Sequence, residues 1–554
     1  MTPVFYGTLD PADVAALHKL DSLDTDIVQR RIHRTLLAFR GLAALIADKS
    51  VPREAYHDLW SRIWDWITFL DAFREHLRFT DPSVNRLLIG NTPGVWVVIA
   101  RAWGMLLHAQ DIPGLNGISV VLASVKAGYD CTGIAPLDDL ISGAGGGWSD
   151  LASFVVCHLK LACPHPDGTI TRDNLVRATG IIYILSGALH SHVEFREALW
   201  EQGLVTALTQ FALALVVNPP LSDFTFLPRT MFTAITSCFT CSHAHKYIVE
   251  SLRSGFLRVL IWYGGTSDDE VIEQELLPVL AGDLPGSTVW YSVLRQLRIS
   301  LAQVRDINPA TMFGRSDLAQ HWKLFLQLAD ERLKVVDEYE AGTLTALRAC
   351  DNLECGQVCD KRKLKRCSGC RTAFYCSRIC QKSDWRNGHR GSCWQFRQRR
   401  IEESTLCGCK DRSFLRALLN RDYARMQEDI ALELLRFRHM HPGHIPYTYF
   451  DYSSGWCAIS VRDTLTPEIE DTYGEEIMRV MRGGGRMQLH LMGVNRGGTC
   501  CQWWQAMPLR SASAALDRDL LRISVPPSNG SRVDVESCRS RVRHLLASAG
   551  VQTH

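Results

Sequence analysis

Neither sign of charge dominates this chain: 61 Lys and Arg stand against 59 Asp and Glu, a formal net charge of +2. Such a balance creates no general attraction to nucleic acid or to a membrane surface. Long hydrophobic runs are missing too. The most apolar windows, Leu204 to Pro219 and Gly94 to Leu107, are too short to span a bilayer or are interrupted by charge. The opening, MTPVFYGTLDPADVAALHKLD, lacks a basic segment followed by an apolar one, so no secretory signal is expected there. The expectation is a soluble intracellular protein with reduced thiols; nucleus and cytoplasm are not distinguished. There is no G-x-S-x-G, H-E-x-x-H, P-loop or kinase signature. A chain of 554 residues, 46% hydrophobic, is nevertheless long enough for about three units with sizeable cores.

What is there in excess is cysteine at 350 to 393, where eight of the 19 cysteines gather with His389. A structural Zn²⁺ takes four thiolate or imidazole donors in a tetrahedron, usually delivered as closely spaced pairs. Cys367-x2-Cys370 fits a tight turn, Cys376-x3-Cys380 a turn, and His389-x3-Cys393 one helical turn. The first pair is open, since Cys350 with Cys355 and Cys355 with Cys359 are both admissible. Disulfides need no such spacing, and nothing else suggests an oxidising compartment.

The runs CSGC, FYCSRICQKSDW and HRGSC resemble the MYND-type zinc finger, and the CxNxxC opening (Cys350, Asn352, Cys355) is similar to its fungal form. The resemblance covers only about 350 to 393. It favours Cys350 and Cys355 as the first pair, with Cys359 as the alternative ligand. It implies cross-bracing of two Zn²⁺ ions, one on Cys350, Cys355, Cys376 and Cys380, the other on Cys367, Cys370, His389 and Cys393. Interleaved ligands would let a short segment fold with little apolar core. The resemblance further implies protein partners, among them proline-containing peptides bound in an extended conformation. Ser368, Gln381 and Trp385 occupy the matching contact positions.

From Arg348 to Arg400 there are fourteen Lys and Arg against four Asp and Glu. Seven thiolates and two dications reduce that excess to about +7. The clusters KRKLKR (361 to 366) and RQRR (397 to 400) are read as solvated loop tips, with a nuclear address or a phosphate-contacting patch as the alternative. Direct nucleic-acid readout is not expected, because the one short helix of the finger already supplies ligands.

Residues 1 to 340 carry helical periodicity, as in Asp26 to Asp48 with Ile27, Ile32, Leu36, Phe39, Leu42 and Ile46. Further helices are expected at about 52 to 77, 94 to 109, 114 to 127, 150 to 162, 172 to 190, 192 to 216, 228 to 262, 268 to 281, 287 to 304 and 316 to 339. Turn signals separate them, including Asp81-Pro82, His165 to Gly168 and the GAGGG run 143 to 147, which is read as a flexible connector. The fold class is mainly α: a helical domain, armadillo- or HEAT-like or irregular, then a finger at 345 to 395 and a C-terminal α/β module at 400 to 554. That module should hold a charged helix or two over 411 to 440, strands at 445 to 452, 456 to 463 and 486 to 494, and helices near 466 to 482 and 534 to 549. Met487, Leu489 and Leu491 alternating with Gln488 and His490 read as a half-exposed strand.

Three clusters invite a bland reading. Cys238 and Cys241 read as core thiols, with His243 and His245 capping or solvating a helix end. Trp60, Trp64 and Trp66 read as helix core. His439, His441 and His444 lack carboxylates in register for a catalytic metal. Together these readings favour a zinc-binding scaffold or transcription-linked adaptor. The competing class is an enzyme, for example a methyltransferase, with its active site in the C-terminal module; the Asn-His-Ser-Cys run found in MYND-bearing methyltransferases does not occur.

Overall fold

A computed structural model describes residues 2–20, 26–48, 50–51, 53–72, 94–132, 137–164, 169–218, 222–265, 270–307, 313, 316–344, 347–495, 502–523 and 536–554. The turn signals at Asp81-Pro82, at 165 to 168 and at 219 to 220 lie outside these residues, as does the helix expected over 73 to 77.

By contacts the chain divides into two compact units, 1–236 with 254–263 and 237–253 with 264–554. The first is all helical. Its α-helices range from seven residues (Thr2–Thr8 and Pro11–Leu17) to 22 (Asp26–Ala47), so helix length is not constant among the described residues. Helix Ile112–Thr132 packs on Arg172–Ser191, and Val95–Ala109 packs on Leu137–Ala144. Trp66 and Trp103 are fully buried, and Trp60 nearly so, as helix-core aromatics. Trp103 Nε1 donates to His158 Nδ1 at 2.9 Å, and His158 Nε2 lies 2.9 Å from Ser119 Oγ, whose hydroxyl donates to the Leu115 carbonyl. That chain of donors assigns a neutral imidazole, and burial, then Arg177, pushes its pKa down to about 3.

Two expected helices are broken. The stretch 192 to 216 divides into Val193–Glu201 and Leu204–Val217 at Gly203, whose φ of +84° suits glycine. The stretch 228 to 262 divides into Leu227–Ser237, Ala244–Arg253 and Phe256–Gly265. Phe256 and Tyr263 there stack on Phe232. The GAGGG run is no loose connector. Gly145 and Gly146 donate back to Ile141, closing one helix, and Gly147 caps the next, Trp148–Ala162. Among the described residues no single helix is long and apolar enough to cross a membrane; Val193–Glu201 and Leu204–Val217 pass that test only jointly, across a 70° break.

The second unit joins helices Ala244–Arg253, Tyr291–Gln303 and Ser316–Glu340 to everything that follows them. Four short strands make two hairpin-like pairs: β1 (Leu347–Ala349) with β2 (Val358–Asp360), and β3 (Lys365–Arg366) with β4 (Phe374–Tyr375). One 32-residue helix, Cys409–Met440, follows. Then come β5 (Pro446–Asp451), β6 (Ala458–Asp463), helix Pro467–Arg482, β7 (Met487–Asn495), β8 (Gln502–Ala506), β9 (Leu509–Ser511), helix Arg539–Ser548 and β10 (Gln552–Thr553). The sheet runs β10-β9-β7-β5-β6, with β8 also on β7, and only β5 and β7 are parallel, joined across helix Pro467–Arg482.

Alternation in this sheet sorts residues between two covers. Tyr447, Tyr449, Leu489 and Leu491 pack with Ile469, Tyr473 and Ile477 of helix Pro467–Arg482. On the opposite face His490 and Phe450 meet each other and His490 meets Tyr423 of helix Cys409–Met440. β7 is therefore buried on both faces, with His490 0% exposed, in place of the half-exposed strand its alternation suggested. A buried knot ties the unit: Arg332 holds Asp422 at 3.1 Å and the Gly455 carbonyl at 2.8 Å, and Tyr452 donates to Asp422.

The remaining clusters resolve as packing. His245 is buried and stacks on Trp290 at 4.6 Å, so it does not solvate a helix end, and Cys238 is fully buried. His444 sits on Asp463, while His441 lies against Phe437. Neither cluster forms a metal-holding group among the described residues.

Candidate metal centre

Each finger ligand is placed by local backbone. Asn352 Oδ1 accepts from Glu354 N and its carbonyl accepts from Cys355 N, a turn that swings Cys355 round beneath Cys350. Cys367 N donates to Ala373 O and Arg371 N returns to Cys367 O, so the β3–β4 hairpin carries Cys367 and Cys370 at its tip. Ser377 caps helix Arg378–Asp384 by accepting from Cys380 N at 3.2 Å. Cys380 thus lies in a first helical turn, where the backbone favours a thiolate. A π-turn over Trp385–His389 then leads into helix Arg390–Leu406 and carries His389 and Cys393.

Two donor sets result: Cys350, Cys355, Cys376 and Cys380, and Cys367, Cys370, His389 and Cys393, each with its ligand atoms within 4.8 Å of one another. Sγ atoms of Cys355 and Cys376 are 3.5 Å apart, as are those of Cys376 and Cys380; Cys367 and Cys393 stand at 3.9 Å, and Cys370 Sγ is 3.7 Å from His389 Nε2. Zinc with bonds of about 2.3 Å to sulfur sets tetrahedral edges near 3.8 Å, so both sets fit it. All these cysteines are free thiols. Cys359 lies outside both sets, on β2 opposite Arg348.

Electrostatics agree. Burial and neighbouring thiols push Cys376 up to about 11 and Cys393 up to about 12. At Cys380 burial also acts upward, but hydrogen bonds from Ser377 and its neighbours bring it to about 7. Four thiolates crowded together are unfavourable until a dication sits among them, which is why metal binding and folding are coupled here. The Thr372 amide points at Cys370 Sγ from 3.4 Å and stabilises a thiolate. His389 is buried against Phe396, Tyr375 and Trp385.

The finger is bolted to the C-terminal module by arginines that spacing alone did not single out. Asp351 accepts from Phe374 N at 2.7 Å, from Arg479 at 3.3 Å and from Arg510 at 3.4 Å. Arg479 also holds the Asp351 carbonyl at 3.0 Å, and Arg510 the Cys350 carbonyl at 2.9 Å. Arg486 reaches the Glu354 carbonyl at 2.6 Å, and Arg482 the Asn387 carbonyl beside Gly388. Gly388 has φ +131°, and a Cβ there would strike Arg482 Nη1. The only sequence hint is Asp351 itself, inside the CxNxxC opening.

Of the residues expected to contact peptide, Ser368 is exposed at the tip between Cys367 and Cys370, Gln381 is half-buried and Trp385 is 40% exposed. Gln381 and Trp385 stand four apart, one turn from each other. Trp385 also meets the ligand His389 edge-on at 5.8 Å, so it serves the little domain's packing as well as its surface.

Two interleaved donor sets clamping a segment with little other core define a cross-braced double-zinc finger. Residues 354–393 match the MYND finger family, so the chain carries a MYND finger, a protein-interaction domain. The match begins after Cys350, whose place among the ligands rests on the geometry above. Ubiquitin carboxyl-terminal hydrolase 19 of Arabidopsis thaliana is 49% identical over 47 residues, 8% of this chain and 7% of that protein. No solved structure matches the chain.

Proposed function

We propose that the protein is a non-catalytic, transcription-linked adaptor whose MYND finger captures proline-containing segments of a partner while the helical domain supplies a platform for another. The observation that carries this reading is Trp385: a large aromatic ring left 40% exposed beside a buried zinc ligand, one helical turn from Gln381. An indole offers proline a flat apolar surface, and Gln381 and Ser368 offer hydrogen bonds to an extended backbone. The finger is held by the C-terminal module through Arg479, Arg482, Arg486 and Arg510, which supports capture on a fixed face.

The test is capture of a proline-rich peptide array by full-length protein and by Trp385→Ala. The variant should lose about tenfold or more in affinity while zinc stays at two per chain. Equal capture by both would remove peptide binding from this face; loss of zinc would make Trp385 structural. Turnover of S-adenosylmethionine by the same preparation, abolished by a substitution outside the finger, would replace the adaptor with an enzyme.

A further inference from the structure

Away from the metal ligands, the second unit encloses a cavity of about 680 Å³. Its walls are β1, Lys361, β3 and β4 of the finger, helices Arg390–Leu406 and Cys409–Met440, and the chain around β10. Eight Lys or Arg side chains line it against a single carboxylate, Glu403. A smaller recess of about 150 Å³ continues from it and shares Arg348, Arg400, Arg416 and Glu403.

Most of this charge is uncompensated. Arg348, Lys361, Arg366 and Arg416 form no ion pair among the described residues, and Arg348 Nε has no hydrogen-bond partner there. Arg348, Lys361 and Arg366 all crowd the ring of Phe374, at 5.1, 5.8 and 5.2 Å. A cation–π contact is a weak substitute for a counter-ion. Arg416 is half-buried, and burial, then the charge of Arg348, lowers its pKa well below the usual value, with Glu403 and Asp351 acting against them. Burial lowers Lys361 as well, with Arg348, Arg366 and Arg416 adding to it. Of KRKLKR, Arg362, Lys363, Lys365 and Arg366 are exposed, as a solvated run requires, and Lys361 alone is half-buried against the cavity. Arg348, Lys361 and Arg416 are half-buried and Arg366 is exposed at the rim, and like charges gathered around one space are relieved by an anion placed among them.

We propose that this cavity binds a small polyphosphorylated molecule, with Arg348, Lys361, Arg366 and Arg416 as its phosphate ligands. The volume is that of a small-molecule site, and the cations converge on one space, whereas a nucleic-acid backbone would be met by a stripe along a surface. Guanidinium forks match phosphate oxygens pairwise, and Lys361 adds a point charge. Because the walls come from both the finger and the C-terminal module, the ligand would also cross-link them. The site is independent of the peptide face at Trp385.

The experiment uses zinc-loaded full-length protein with inorganic tripolyphosphate and inositol hexakisphosphate as probes, and sulfate at matched ionic strength as the control. Calorimetric binding at one site per chain is expected, with a rise in melting temperature of about 5 °C at a hundredfold excess over Kd. Arg416→Met should weaken binding at least tenfold, yet melt no lower than wild type without ligand, since it relieves repulsion from Arg348 at a site where Arg416 forms no ion pair among the described residues. Should Arg416→Met lose zinc, Lys361→Gln decides the matter with an expected loss of several-fold. An equal response to sulfate, undiminished binding by the variants, or binding of an oligonucleotide or phosphopeptide that tripolyphosphate does not displace would each overturn the proposal.

Discussion

Asp351→Asn should unfasten the finger from the C-terminal module without emptying it of zinc. The substitution keeps size and an acceptor for the Phe374 amide but removes the charge facing Arg479 and Arg510, whose side chains are only 9% and 10% exposed. Breaking a fully buried ion pair costs about 3–5 kcal/mol because the partner is stranded. Here Asp351 is 24% exposed, and each guanidinium keeps a backbone carbonyl, on Asp351 or Cys350, so the lower end, about 3 kcal/mol, applies. For a unit of this size that corresponds to a fall in melting temperature of about 6 °C. Thermal unfolding of the zinc-loaded chain, with metal counted by atomic spectroscopy, reads both quantities. Adding Arg479→Met should cost less in the Asp351→Asn background than in wild type, since the stranded charge is then gone. A change below about 1 kcal/mol, or additive effects, would refute the idea that Asp351 is the bolt.

The ligand assignment has a direct check: Cys350→Ser should lose metal, whereas Cys359→Ser should retain two zinc ions, as its place on β2 outside both donor sets requires. Removing zinc with a chelator should unfold 350 to 393 while helices of the first unit persist, seen as loss of only part of the helical circular dichroism. Acid should weaken the first unit through His158. Its folded pKa of about 3 lies below the ordinary 6.5, so the unfolded chain binds the proton first. Stability is complete above pH 6.5 and falls by about 1.4 kcal/mol per pH unit from there towards pH 3. Denaturant midpoints of His158→Leu should show a slope shallower by one proton; an unchanged slope would mean that His158 takes up its proton while folded.

The amino-acid sequence alone determined three of the four ligand pairs of the metal centre, while the partner of Cys355 and the interleaving of the pairs were decided by the tertiary structure. The ligands lie within 44 residues, and a turn or one turn of helix fixes where each of those three pairs points, so spacing carries the geometry. The sequence also determined that the described part of the first three hundred residues is helical and that β5, β6 and β7 are strands, because those patterns are local. The breaks at Gly203 and at 238 to 243 escaped periodicity, since apolar residues on both sides of each continue it. Which surface covers a strand is not a local property. β7 alternates as if one side met water, yet helix Cys409–Met440 takes that side. The grouping of helix Ser316–Glu340 with the finger and the sheet was likewise decided only by the tertiary structure, through Arg332, Asp422 and Tyr452, 90 or more residues apart for the Arg332–Asp422 pair. So was the convergence of basic residues from distant segments on one cavity, because charges far apart along a chain acquire a common field only once packing brings them together.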